Sequence, residues 1–293
     1  MDWDDARYFL AIAREGQMLA AARKLAVSQA LLSRRMANFE ATTGARLLDR
    51  STRGCSLTEE GRIMFGMAER MEADILTAMA EVQGRGGVSG TVRIGAPDGF
   101  GSAFLAPRLH RLIEMYPDLH LQLVPAPRSF SLSQREADIA VMIGQPDRGK
   151  LRTHRLSDYS LGLYASQAYL DRVGIPQSIS SLSDHRLVGY VEDLVHTREL
   201  DYTSELLHGW RSKIEIATAI GQLEAVRGGA GIGLLHDFMA SSCSDLVHLL
   251  PRHGIRRTYW TAWHEDLRGA RRVMIVAEFL RDIVRENQAM FLR

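Results

Sequence analysis

The sequence is poor in cysteine and lysine, and it has no long apolar run. Cys55 and Cys243 are the only cysteines among its 293 residues, too few for a disulfide scaffold or a cysteine-built metal site. No stretch reaches the roughly 18 apolar residues that a membrane span needs. The N-terminus carries Asp2, Asp4 and Asp5, whereas a secretion signal carries positive charge there. These absences predict a cytoplasmic chain with no membrane segment, no metal and no other cofactor.

The charges nearly cancel, but they are unevenly distributed. The chain has 36 basic and 35 acidic residues, which excludes a uniformly cationic protein. The segment from Arg23 to Arg53, however, holds seven basic residues against two acidic ones. Only three of the basic residues in the whole chain are lysines, and the planar fork of arginine suits phosphate. This cluster is typical of a protein that binds the nucleic-acid backbone, the alternative being a solvated charged surface.

Composition divides the chain into three parts, which we expect to be separate domains. The first has short helical segments, the second is one long helix ending in a glycine-rich hinge, and the third alternates strands and helices. Two strand-helix-strand runs in the third part predict a parallel sheet with right-handed crossovers, in two lobes around a cleft. The expected boundaries are residues 1–58, 59–90 and 91–293, with lobe I at 91–163 and 266–293 and lobe II at 164–265.

The long helix has a regular apolar stripe. Thr58 can cap its N-terminus, and the pattern stops at the hinge Gly84 to Gly90. Within it, apolar residues recur at alternating steps of four and three, which is typical of a helix that pairs with another helix. They are Met64, Ala68, Met71, Ile75, Ala78 and Val82. We expect this stripe to pair two copies of the chain, the alternative being a stripe buried in the chain's own core.

The segment from Ala20 to Gly61 has the pattern of a helix-turn-helix. Ser28 can cap its second helix, on which Leu32, Met36 and Phe39 share one face. The opposite face presents side chains that can contact base edges in a major groove. A short hairpin follows, with arginines near its tip that can contact phosphates or the minor groove. The candidate DNA contacts are Gln29, Ala30, Ser33, Arg34, Arg50 and Arg53.

This segment carries a specific resemblance. Its spacing AA…L…SQ…S…E…G…LL.R…R….LT..G, followed by a long helix and a two-lobed α/β part, resembles LysR-type transcriptional regulators over essentially the whole chain. The fold class that follows is α/β with an N-terminal all-α winged helix-turn-helix, a long linker helix and an effector domain like periplasmic solute-binding proteins. Gln17, Ala30 and Leu48 depart from the residues common in that family, which makes base-pair preference less transferable.

The resemblance also implies partners. Family members form dimers that commonly assemble into tetramers, and they bend promoter DNA differently with and without a small-molecule effector. We therefore expect double-stranded promoter DNA, a small molecule and further copies of the chain as partners, with RNA polymerase as a candidate fourth.

The effector is expected in the cleft between the lobes. Open α/β sheets bind ligands beyond the carboxyl ends of their strands, often at helix N-termini. The resemblance implies a small carboxylate held by Ser102 and Thr218, whereas the acidic and aromatic candidates favour an amine, an amino acid or an aromatic compound. Arg128 is a candidate counter-charge. The candidate effector contacts are Asp98, Phe100, Gly101, Ser102, Arg128, Gly144, Tyr190, Asp193, Thr218 and His236.

Three other functions fit parts of this pattern. An α/β enzyme with an accessory helix-turn-helix would need a catalytic motif, and the sequence has no GxSxG, HExxH, Walker or GxGxxG pattern. A free solute-binding protein would lack the helix-turn-helix and carry a secretion signal. A constitutive DNA-binding regulator, whose α/β domain serves only assembly, remains the main alternative to an effector-responsive one.

Overall fold

The computed structural model forms two units, Met1–Thr91 and Val92–Arg293, each with its own core. The residues that the structure describes are 2–51, 54–82, 87–126, 136–146, 150–194, 202–207 and 209–292. Arg53, Arg128 and residues 84–86 of the expected hinge lie outside these ranges, as does the side chain of Val82.

The first unit is a helical head with a small hairpin. Its elements are α1 (Trp3–Glu15), α2 (Met18–Lys24), α3 (Gln29–Thr43), β1 (Leu48–Ser51), β2 (Gly54–Leu57) and α4 (Glu59–Val82). Phe9, Leu32 and Phe39 are fully buried at its centre. β1 and β2 pair antiparallel, with Leu48 opposite Leu57. The helix-turn-helix and its hairpin therefore form where the sequence predicts them.

Local capping explains where these helices begin. The backbone N–H of Leu31 donates to Ser28 Oγ at 3.1 Å, and that of Gly61 donates to Thr58 Oγ1 at 2.9 Å, so α3 and α4 both start at the expected caps. α2 begins after Gln17, which makes no capping hydrogen bond. α3 ends at Gly44, whose φ of 68° is the left-handed conformation that glycine adopts without strain.

The second unit is one mixed sheet flanked by helices. Its strands are β3 (Gly90–Pro97), β4 (Leu119–Ala126), β5 (Ile139–Ile143), β6 (Leu151–Ser166), β7 (Leu187–Gly189), β8 (Ile214–Glu215), β9 (Ile232–His236) and β10 (Leu246–His264). Its helices are α5 (Leu109–Met115), α6 (Gln167–Val173), α7 (Tyr202–Leu206), α8 (Ala219–Arg227), α9 (Asp237–Ala240) and α10 (Arg271–Glu286). The strand order is β4-β3-β5-β10-β6-β9-β7-β8.

Two long strands join the lobes. β6 and β10 pair antiparallel from Leu151 opposite His264 to Ser166 opposite Leu246. β10 also pairs with β5 of lobe I, and β6 also pairs with β9 of lobe II. Both strands therefore cross between the lobes. The sheet is mixed: β3–β5, β7–β8 and β7–β9 pair parallel, as the sequence predicts, whereas the long strands add the antiparallel pairs β10–β5, β10–β6 and β6–β9.

The chain after β3 also differs from the expected single helix. Residues Gly99–Leu105 form a π-helix, Ala106–Arg108 form a 3-10 turn, and only then does α5 begin. Pro107 has no backbone N–H to donate, so a regular α-helix would lose a hydrogen bond at this point. The π-helical turn directs Phe100 and Phe104 into the core, where both are fully buried.

Candidate functional site

The outer face of α3 presents the predicted DNA contacts. Gln29, Ala30 and Arg34 are exposed, and Ser33 is partly exposed. Leu32, Met36 and Phe39 are fully buried on the opposite face, which fixes the rotation of the helix. Among the described residues, Arg34 has no acidic side chain within ion-pair distance. Its guanidinium is therefore available to an external acceptor.

The hairpin places Arg50 beside this face. The Arg50 guanidinium donates to Ser33 Oγ at 3.5 Å and pairs with Glu40 Oε2 at 3.4 Å. The other carboxylate oxygen of Glu40 accepts the backbone N–H groups of Leu47 and Leu48, at 2.8 and 3.1 Å. Glu40 thus connects α3 to β1 and orients Arg50. The sequence alone does not reveal this role, although a single glutamate in an arginine-rich segment indicates an ion pair.

Not every arginine of the cluster faces outward unpaired. Arg35 is 3.3 Å from Asp2 Oδ2 and 3.2 Å from Asp5 Oδ1. The hydrogen bond that Arg35 donates to Asp2 raises the pKa of Arg35, while hydrogen bonds from the Asp4 backbone N–H and from Arg35 lower the pKa of Asp2. Arg35 therefore ties α3 to the start of α1. Arg34, which has no such partner among the described residues, keeps its charge facing outward.

The first part of α4 packs against the head, which removes Ala68 from the predicted pairing stripe. Ala68 is fully buried in the core of the head, and Met64 packs against the same core. Arg14 of α1 binds Glu69 at 3.2 Å and Glu72 at 2.7 Å, which holds α4 along the head. Ala68 is therefore not available to a second chain. The heptad count could not distinguish this internal packing from pairing, because both use the same helix face.

The second part of α4 is exposed to solvent. Met71 and Ile75 are partly exposed, and Ala78 is exposed. Leu76 and Met79, which lie outside the predicted stripe, are 59% and 53% exposed. Large apolar side chains on an exposed helix indicate a surface that another chain can cover.

In the second unit, Asp98 links two of the candidate segments. It follows β3, is only 7% exposed, and accepts the backbone N–H of Ala219 at 3.1 Å and that of Ile220 at 3.3 Å. These groups form the N-terminus of α8. Burial raises the pKa of Asp98, and the hydrogen bonds from the Ala219 and Ile220 amides oppose that rise. The carboxylate therefore lies where a helix favours negative charge.

Thr218 acts first as the cap of α8. Its Oγ1 accepts the N–H of Gly221 at 3.1 Å. The amides of Ala219 and Ile220 that a ligand carboxylate would use beside it are occupied by Asp98. Both amides are therefore already paired within the protein in this structure.

Tyr190 and His236 lie in the same region. Burial raises the pKa of Tyr190 well above its usual value, with Tyr202 and Asp98 as further causes. Burial lowers the pKa of His236 to about 4, so its imidazole is neutral near pH 7. The His236 ring stacks on Tyr159 with centroids 5.4 Å apart. Asp98, Thr218, Tyr190 and His236 thus form one polar and aromatic group.

Two candidates belong to the core instead of a ligand-lining surface. The Phe100 ring is fully buried, with centroids 5.1 Å from Phe104 and 4.9 Å from Tyr259. Gly101 is buried, and a Cβ there would lie 3.0 Å from Pro125. Both assignments to the effector site are corrected, because the π-helical turn directs these positions inward.

The remaining candidates are more peripheral. Ser102 and Gly144 are partly exposed, and Gly144 has a φ of 75° where the chain leaves β5. Asp193 is exposed in a short 3-10 turn. Two further residues, Tyr159 and Tyr202, lie beside His236 and were not predicted from the sequence. Their hydroxyls are 2.9 Å apart. No motif marks them, since their proximity arises only when α7 packs near the crossing strands.

Within the described ranges, no group of histidine, cysteine and acidic side chains could hold a metal ion. Among the helices of these same residues, none is both long enough and apolar enough to cross a bilayer.

Comparison with known proteins identifies both units. Residues 3–62 match the bacterial regulatory helix-turn-helix protein, lysR family, and residues 85–285 match the LysR substrate binding domain. The chain belongs to the LysR family. CrgA from Neisseria meningitidis serogroup C is 32% identical over 190 residues, which are 64% of each chain. PtxR from Pseudomonas aeruginosa is 30% identical over 256 residues, covering 83% of this chain and 80% of PtxR. DmlR from Escherichia coli is 28% identical over 300 residues, covering 98% and 96%.

Solved structures show the same architecture. The structure of CrgA aligns with a TM-score of 0.61 at 25% identity, over 97% of this chain and 99% of CrgA. ArgP from Mycobacterium tuberculosis shares the fold, with a TM-score of 0.64 at 19% identity over 97% of each chain. The helical head and two-lobed α/β domain expected from the sequence are confirmed. The relatives named above are helix-turn-helix transcriptional regulators, which confirms the expectation of a LysR-type regulator and not an enzyme.

Proposed function

We propose that this chain regulates transcription by placing α3 in the major groove of a specific promoter sequence. The observation that carries the proposal is the exposed row of Gln29, Ala30 and Arg34 opposite a fully buried helix face. Gln29 can pair with adenine, Arg34 with guanine, and Ala30 can contact a thymine methyl group. Ser33 can bond to a base or a phosphate, and Arg50 and Arg53 of the hairpin serve as phosphate or minor-groove contacts.

The proposed assembly is a homodimer that forms tetramers. The exposed apolar surface of α4 around Ile75, Leu76 and Met79 supports pairing of two chains. Two paired heads would present two α3 helices to successive major grooves. The domains that we propose are the head at residues 1–58, the linker at 59–90 and the effector domain at 91–293. Such a regulator acts in the cytoplasm, where promoter DNA and RNA polymerase are present.

The proposed effector site is the cleft between the lobes of the second unit. Asp98, Tyr190, Thr218 and His236 support it because they come from segments far apart in sequence. Ser102 in the π-helical turn, Gly144 after β5 and Asp193 in a 3-10 turn remain candidates. A constitutive regulator is the second candidate function, and the occupation of the α8 amides by Asp98 favours it.

Arg34→Ala tests the DNA-reading surface. We expect a loss of about 1–3 kcal/mol in binding to the cognate site and a relaxed preference at one base pair. Fluorescence anisotropy with DNA from upstream of the chain's own gene, at fixed salt, measures both. Arg285→Ala removes an exposed arginine of α10 and serves as the matched charge control. Equal affinities for the two variants would contradict the assignment of α3.

A further inference from the structure

The strongest unexplained feature is the way in which the chain fills the N-terminus of α8. A helix leaves its first four N–H groups without helical partners. Here Asp98 accepts those of Ala219 and Ile220, and Thr218 Oγ1 accepts that of Gly221, whereas the Gln222 N–H makes the first regular bond of the helix, to the Thr218 carbonyl. These three donors of α8 are satisfied by the protein itself, so none of the three is left for a bound anion.

The hydrogen bonds of Asp98 run from one lobe to the other. Asp98 directly follows β3, which pairs with β5 in lobe I. α8 leads into β9, which pairs with β7 in lobe II. Each carboxylate oxygen takes one amide of α8, so the contact is bidentate. Opening the lobes would break both hydrogen bonds at once.

The surroundings make this contact hard to replace. Within the described part of the chain, no arginine or lysine pairs with Asp98. Its charge is compensated by backbone amides, chiefly those of Ala219 and Ile220 at the helix N-terminus and also those of Gly99 and Asp98 itself. Tyr190 and the neutral His236 contribute no cation near pH 7. A buried carboxylate that loses its hydrogen bonds pays a large desolvation penalty. The closed contact is therefore favoured without any ligand.

We propose that Asp98 is an internal substitute for a ligand carboxylate, which fastens the two lobes together and excludes small carboxylates from the α8 N-terminus. The inference rests on the proposed function, because it concerns regulation at the same cleft. A molecule that acts on the cleft is then neutral or cationic. Promoter binding by the wild-type chain does not respond to small carboxylates.

Saturation-transfer NMR on the full-length chain tests the exclusion, with acetate and benzoate as probes. The wild type should show no specific transfer to either probe. Asp98→Ser frees the amides of Ala219 and Ile220, and we expect the transfer to rise about tenfold. Asp184→Ser is the matched control, because it removes an exposed acid of lobe II that lies in none of the candidate sites and should leave the signal at the wild-type level.

A second substitution tests whether acetate or benzoate binds the Asp98→Ser variant at the N-terminus of α8. Ala219→Pro in the Asp98→Ser background removes one of the two amides, and proline is tolerated at the first position of a helix. Thr218 has φ −124° and ψ 141°, the extended conformation that suits a residue before proline. The gained transfer should fall back towards the wild-type level. If it does not, the carboxylate binds elsewhere and the proposal is overturned.

The wild type alone can also overturn the proposal. Specific transfer to acetate or benzoate in the wild type would show that Asp98 excludes nothing, and this outcome does not depend on whether a variant folds. Asp98→Asn, which keeps the shape and one neutral acceptor, should give an intermediate transfer. Promoter affinity measured by anisotropy separates the two proposals. A wild type that binds no promoter DNA contradicts the regulator function, whereas the NMR result still reports on Asp98.

Discussion

Glu40 shows how a single carboxylate can organise a binding surface. It receives two backbone amides at the start of β1 and one guanidinium from the hairpin. The sequence pattern identified the outward residues of α3 because buried Leu32, Met36 and Phe39 determine its rotation. It could not identify Glu40, since its partners Leu47 and Leu48 come close only after the chain turns.

Glu40→Ala should destabilise the head. Removing the acceptor leaves two partly buried amides without their partner, at a cost of about 1–3 kcal/mol in the free energy of unfolding. Urea denaturation followed by circular dichroism measures this cost. Asp49→Ala removes an exposed acid from the same hairpin and should change the stability little. Equal midpoints for the two variants would show that Glu40 does not hold the hairpin.

At the scale of elements, α4 has two roles, packing inside the head and pairing with another chain, and a heptad pattern does not distinguish them. Its first part completes the core of the head through Ala68, and its second part exposes Leu76 and Met79. β10 was also difficult to predict, because Pro251 and Gly254 interrupt its apolar pattern. The register of β10 against β6 shifts between Leu249 and Gly254, so an irregular strand remains paired on both sides of the interruption.

Met79→Asp should weaken association of the chain with itself. A charge in an apolar helix pairing must be desolvated, so we expect dissociation to monomers at micromolar concentration. Sedimentation velocity measures the oligomeric state. Ile63→Asp is the control, because Ile63 is exposed in the first turns of α4 and points away from Ile75 and Met79. The assignment fails if Met79→Asp sediments like the wild type.

At the scale of the whole molecule, charge and chemistry are divided between the two units. The head holds the arginine-rich surface, whereas the second unit holds the buried group of Asp98, His236 and tyrosines. Composition and motif spacing predicted this division and the family. They could not predict that Phe100 would enter the core or that Asp98 would occupy α8, because both depend on the π-helical turn after β3.

The buried His236 should make the second unit acid-sensitive. Its folded-state pKa of about 4 lies below the unfolded value of 6.5, so the unfolded chain binds a proton first as the pH falls. Stability present above pH 6.5 is then lost towards pH 4, by about 3 kcal/mol from this group. Urea denaturation at pH 7 and pH 4.5 measures the loss. His236→Gln should flatten the dependence, and an unchanged slope would assign the acid sensitivity to other groups.

The crossing strands also constrain how the chain is made. β6 leaves the ribosome well before β10, and all of α6 to α9 is synthesised between them. Until β10 is synthesised, the edges of β5 and β6 that pair with β10 in the folded protein have no partner strand. An unpaired strand edge can join another chain. The nascent protein is therefore most exposed to misassembly during translation of lobe II, when chaperone binding to β6 would protect it most.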